Sequence, residues 1–121
     1  MSLLNGLALT KLGSATINMQ NAAGAQTIFT TPVGKVTRIV CVVVRDTTAT
    51  LAGGTDFDFT NWRQNVDLSG MTTANTSYRV LYSTDNTDYT ELAAATNFQI
   101  TPSTGSTGAA SSTIDVYGYV T

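Results

Sequence analysis

RIVCVVVRD, residues 38–46, is the least polar stretch of the chain, and its reading decides the fold. A strand in a small β-protein sets one face against the core and the other against water, so its residues alternate apolar and polar. Here Ile39, Val40, Cys41, Val42, Val43 and Val44 run without a break. β-Branched residues suit a pleated strand, so the stretch reads as a strand whose second face needs a cover. Strict alternation puts Val36, Arg38, Val40, Val42 and Val44 on one face, and Thr37, Ile39, Cys41, Val43 and Arg45 on the other. One set lines a core. The other, most economically Ile39, Cys41 and Val43, is left for something else to bury, and each such side chain is worth about 1.5–3 kcal/mol when fully buried. Two covers are available: the leucine-rich N-terminus folded back over the sheet, or a second subunit. A central strand closed over by its own loops also meets the requirement.

The rest of the chain reads as strands on both sides of this one. Ala15, Ile17 and Met19 alternate with Thr16, Asn18 and Gln20. Phe57 and Phe59 alternate with Asp56 and Asp58, and Trp62, Val66 and Leu68 lie at even spacing. Tyr78, Val80 and Tyr82 oppose Arg79, Leu81 and Ser83; Phe98 and Ile100 oppose Asn97, Gln99 and Thr101. In the last strand Ile114, Val116 and Val120 face inward, against Asp115, Tyr117 and Tyr119. Turn residues separate these runs, and PSTGSTGAASS, residues 102–112, is flexible by composition. About eight short strands with regular turn signals predict an all-β chain, a single antiparallel β-sandwich. Residues 1–13 read as an N-terminal arm and 14–121 as the sandwich domain.

Composition narrows the function. Charged residues make up 12% of the 121, about half the usual share, and the net charge is −2. A basic footprint for nucleic acid is absent. No apolar run is long enough to span a membrane, and the N-terminus lacks the basic start of a signal peptide. Thr, at about one residue in five, supplies much of the polar surface. A surface of neutral hydroxyls and amides suits a chain whose area is taken up by neighbours. The one Cys excludes an internal disulfide, and Cys41 reads as a small buried hydrophobe.

The chain has no His. That removes Ser-His-Asp and Cys-His catalysis, which need an imidazole to take the nucleophile's proton, and zinc sites built from Cys and His. Asp56 and Asp58 share a strand face roughly 7 Å apart, a spacing an inverting glycosidase can use. Asp-x-Asp on a wet strand face is also a common way to keep an edge soluble. Asp85, Asp88 and Glu91 can offer oxygens to calcium, but without the EF-hand spacing they read as a hairpin turn. The expectation is therefore not an enzyme, with no cofactor, no resident metal and no small-molecule substrate. Tyr117 and Tyr119, with Asp115 on the same face, suit either a protein contact or a sugar platform.

TIFTTPVGKVTRIVCVVVRDTTATLAGGTDFDF, then NWRQNVDLSGMTTANTSY and the closing STIDVYGYV, resemble small β-sandwich virion proteins of tailed bacteriophages. The shared pieces are a T-x-P-x-G-K strand end, a Val-rich strand, a LAGGTDFDF-like hairpin and an Ile-Asp-Val-Tyr-Gly-Tyr last strand, covering roughly residues 25–121. The resemblance implies a jelly-roll-like fold and a non-enzymatic role: decorating or cementing the exterior of the phage head, or building head fibres and tails. It implies a homo-oligomer, a trimer ahead of a dimer, with the major capsid protein as partner. It carries no binding residues across. The chain's own residues nominate the interface: Leu3, Leu4, Leu7 and Leu9 of the arm, Ile39, Cys41 and Val43 of the long strand, and Tyr117 and Tyr119 of the last. The other reading is a carbohydrate- or receptor-binding module of a fibre or tail.

Overall fold

The computed structural model describes residues 9–73, 77–83 and 91–121. These form an all-β sandwich of β1 (Thr10–Asn18), β2 (Gln26–Thr30), β3 (Thr37–Arg45), β4 (Asp56–Phe59), β5 (Tyr78–Tyr82), β6 (Glu91–Leu92), β7 (Asn97–Thr104) and β8 (Ser111–Val120). The larger sheet has the order β1-β8-β3-β5, with β6 also on β3, and the smaller has β2-β7-β4. Strand pairing is antiparallel throughout.

The pairs are nested. β1 lies on β8, β2 on β7, and β3 on β6, as in one long hairpin rolled up so that successive arms alternate between two sheets. That is jelly-roll winding. An isolated antiparallel bridge from Phe57 to Val66 adds the next rung beyond β4. β5 and β6 share the far side of β3, β5 along residues 41–45 and β6 along residues 37–38.

The apolar alternation builds the core as expected. Phe57 and Phe59 of β4, Phe98 and Ile100 of β7, and Ile114 and Val116 of β8 are fully buried between the sheets. Trp62, Val66 and Leu68 are buried with them. Phe98 touches three other rings, with centroids 5.8 Å from Phe29, 6.0 Å from Phe59 and 6.3 Å from Trp62.

Three expectations are corrected. Strict alternation fails in β3: Ile39 lies opposite Gly118 but Cys41 lies opposite Tyr117, so Val40 is an extra residue. This bulge reverses the phase of the strand. Ile39, Val42 and Val44 are all fully buried, whereas Cys41 and Val43 are only half-buried on the outer side. Ile39 is therefore a core residue and leaves the candidate interface, and Cys41 is not a wholly buried hydrophobe. Second, β1 starts at Thr10 and pairs with β8 from there, so residues 10–13 belong to the sandwich rather than to an arm. Third, the low-complexity stretch is packed. Ser106 is fully buried, its amide donates to the Met19 carbonyl, and its own carbonyl accepts from the Asn21 amide. Main-chain pairing of this kind uses no side-chain signal, so composition does not reveal it.

Candidate functional site

The register of the large sheet sets its outward side chains in rows running across the strands. Lys11, Tyr117, Cys41 and Tyr82 form one row. Ser14, Asp115, Val43 and Val80 form the next, and Thr16, Thr113, Arg45 and Tyr78 the third. Neighbouring strands are about 4.8 Å apart and rows about 7 Å apart. The outer face therefore has two parts. Toward β1 it is ionic; toward β5 it is apolar and aromatic.

The ionic part centres on Asp115, whose side chain is 5% exposed. Its carboxylate accepts from Arg45 Nε at 2.7 Å and from the Ser14 hydroxyl at 2.6 Å, and Lys11 Nζ stands 3.5 Å away. Burial alone would raise the Asp115 carboxyl. The Arg45 and Ser14 hydrogen bonds, with the charges of Arg45 and Lys11, outweigh it and hold the group below the usual carboxylate range. The sequence places Asp115 on one face with Tyr117 and Tyr119, open to either a protein contact or a sugar. Its partners stand 70 and 101 residues away in the chain, so only the strand order reveals them.

The apolar part is what replaces the expected Ile39–Cys41–Val43 stripe. Val40, Cys41, Val43, Val80 and Tyr117 are each half-buried, and Tyr119 also stands half-buried on β8. Tyr82 and Tyr78 are 57% and 61% exposed. Partial burial of the thiol pushes the Cys41 pKa up. Tyr78, Val80 and Tyr82 belong to this face although the sequence alone does not single them out. Their signal is a period-2 triplet opposed by Leu81, which is buried and fixes the triplet's outward direction. Leu9 is 50% exposed just before β1; Leu3, Leu4 and Leu7 lie outside the described residues.

The carboxylate pair of β4 stands elsewhere. Asp58 accepts from the Asn65 amide and the Ser103 hydroxyl, tying the 59–65 loop and β7 to β4. Burial would raise Asp58, but these bonds lower it overall. Asp56 is raised, first by burial and then by the adjoining Asp58. A hydroxyl, an amide and a strand neighbour are the partners of a loop staple. Among the described residues no group of three or more His, Cys, Asp or Glu is placed to hold a metal ion; Asp85 and Asp88 lie outside those residues.

The depressed carboxylates fix an acid dependence. Asp67 joins Asp58 and Asp115 on the low side, held by the Ser69 hydroxyl and amide. A carboxyl with a folded pKa below its unfolded value of about 4 contributes stability above that value and loses it as pH falls through the folded one. Through these three groups the melting temperature is expected to fall as pH drops below about 4. Asp56, raised, works in the opposite sense: its contribution favours the fold in acid and fades as pH rises through its folded pKa. Asp115→Asn should melt below the parent at neutral pH and converge with it in strong acid. A constant gap across the pH series would show that Asp115 acts through packing and not charge.

No family model, no curated protein and no solved structure matches this chain.

Proposed function

We propose that this chain is a non-enzymatic structural protein of a phage virion, a decoration or cement protein on the exterior of the head. In this reading it assembles with copies of itself, as a trimer ahead of a dimer, and clamps neighbouring major capsid proteins at their joints. The observation that carries the reading is the valine–tyrosine face of β8, β3 and β5. Removing apolar surface from water is worth about 25 cal/mol per Å², and this face holds such surface in reserve at the side of a finished core. Its tyrosines suit a contact that is apolar in the middle and wet at its edge. A cement acts by mass action: whatever binds the assembled shell and not its separated parts stabilises it. Jelly-roll winding is common in capsid domains, but it also serves unrelated functions, so the weight rests on the face.

A second reading, a carbohydrate- or receptor-binding module, is favoured by the exposed rings of Tyr82 and Tyr78. It is weakened by Asp115, the face's best acceptor for sugar hydroxyls, which is already saturated by Arg45, Ser14 and Lys11. Mass spectrometry of gradient-purified phage particles separates the two. The cement reading expects this chain in filled heads at a copy number comparable with that of the capsid's joints. Its absence from particles overturns that reading. Recovery only with tails or fibres, together with glycan binding abolished by Tyr82→Ala, selects the second.

A further inference from the structure

We propose that the valine–tyrosine face of one copy is the docking site for residues 1–8 of a second copy. The inference rests on the self-association part of the reading above, and it names the surface and its occupant.

The direction of the chain carries the argument. The two strands that flank β8 on the outer sheet, β1 and β3, run parallel to each other. Lys11 stands in the row of Cys41 and Tyr82, and Ser14 in the row of Val43 and Val80. Traced backward from Lys11, the chain therefore moves along β1 away from Val43 and Val80 and off the end of the sheet. At that end Leu9 is 50% exposed, Val36 39% and Val33 85%, beside the exposed Lys11 and Lys35. To reach the face of its own copy the segment would have to reverse and then cross β8 and β3 to β5, about 14 Å at the usual strand spacing. Docking on a neighbouring copy does not impose that reversal, because this chain's own β1 does not fix where the copy stands.

The chemistry of the two surfaces agrees. Residues 1–8, MSLLNGLA, carry three leucines and no charged side chain. The middle of the face is Val40, Cys41, Val43 and Val80, with Tyr82 and Tyr117 beside it. The charged groups bordering it are neutralised among themselves, Asp115 by Arg45 and Lys11. An uncharged leucine segment thus meets no unpaired charge from this cluster.

Cys41 lies in the face and is the only Cys, so a cross-link reads the occupant directly. Leu4→Cys in the otherwise intact chain is oxidised mildly at alkaline pH and run on a non-reducing gel. Disulfide-linked dimers or higher species that disappear with Cys41→Ser are expected. The unsubstituted chain, carrying Cys41 alone, is the blank. A fast-running internally linked monomer, or linked species no stronger than the blank, overturns the proposal. In parallel, Val80→Glu is placed on a half-exposed position, so the fold should survive. Sedimentation should show self-association weakened at least tenfold with the melting temperature unchanged. Self-association that is unaffected by both Val80→Glu and removal of residues 1–8 overturns this site while leaving an oligomeric virion protein possible through another surface.

Discussion

Gly118→Ala is expected to be the most damaging methyl addition among the described glycines. Gly118 lies on β8 between two bulged neighbours. On one side β1 shifts register between Lys11 and Gly13, and on the other β3 shifts between Ile39 and Cys41. Both strands crowd toward the same point. A Cβ on Gly118 would overlap the Arg38 carbonyl oxygen, stand 3.0 Å from the Arg38 carbonyl carbon and 3.0 Å from Leu12 Cδ1. A long side chain can swing away from such a clash; a backbone carbonyl held in a sheet cannot. Overpacking usually costs about 1–3 kcal/mol and exceeds that when the obstacle is rigid, so a loss of at least about 3 kcal/mol is expected. That is a large part of the roughly 5–15 kcal/mol of a typical domain. Urea denaturation followed by the fluorescence of Trp62, the one Trp, reads it. Gly108→Ala is the matched control, since nothing stands within 4 Å of its added Cβ. Equal midpoints for the two variants would show that the strands do not close on Gly118.

The same bulge marks the limit of what the sequence discloses. Alternation correctly assigns the inward faces of β4 and β8, because Phe57 and Phe59, or Ile114 and Val116, are read over stretches that keep a period of two. In β3 the period is broken by one residue. Nothing in IVCVVV distinguishes the extra residue from its neighbours, since every candidate is apolar. The consequence is large for a single residue: Ile39 moves into the core with Val42 and Val44, while Cys41 and Val43 stay outside. The greasy second face inferred from the unbroken run is there: it loses Ile39, keeps Cys41 and Val43, and is completed by Val80 and Tyr82 from β5.

Non-local partners are the other hidden class. Asp115 meets Arg45 and Ser14 only because β8 is inserted between β1 and β3. Strand order in a jelly roll follows from how a long hairpin rolls, and no local residue pattern encodes it. An acidic residue among tyrosines therefore reads from the sequence as open to a protein contact or a sugar, whereas in the fold it is the anchor of an ion cluster.

Phe98→Ala is expected to cost about 3–5 kcal/mol, the usual range for deleting a fully buried aromatic ring. Phe98 lies on β7, the middle strand of the small sheet, and its ring is 0% exposed. It stacks near Phe59 and meets Trp62 edge-on, so its removal opens a cavity lined by rigid rings that collapse poorly. Phe98→Leu keeps most of the volume and should cost less than half as much. Both are read by urea midpoint, with the Trp62 spectrum reporting the loss of the adjoining ring. Tyr82→Ala supplies the contrast that ties stability to function. That ring is 57% exposed on the outer face, and a surface truncation of this kind changes stability by about 0.5 kcal/mol or less. If the outer face is for contact, Tyr82→Ala should impair assembly with an almost unchanged midpoint, while Phe98→Ala should lower the midpoint. A Tyr82→Ala midpoint as low as that of Phe98→Ala would mean that the outer ring belongs to the folding core, and the face could no longer be treated as held in reserve for a partner.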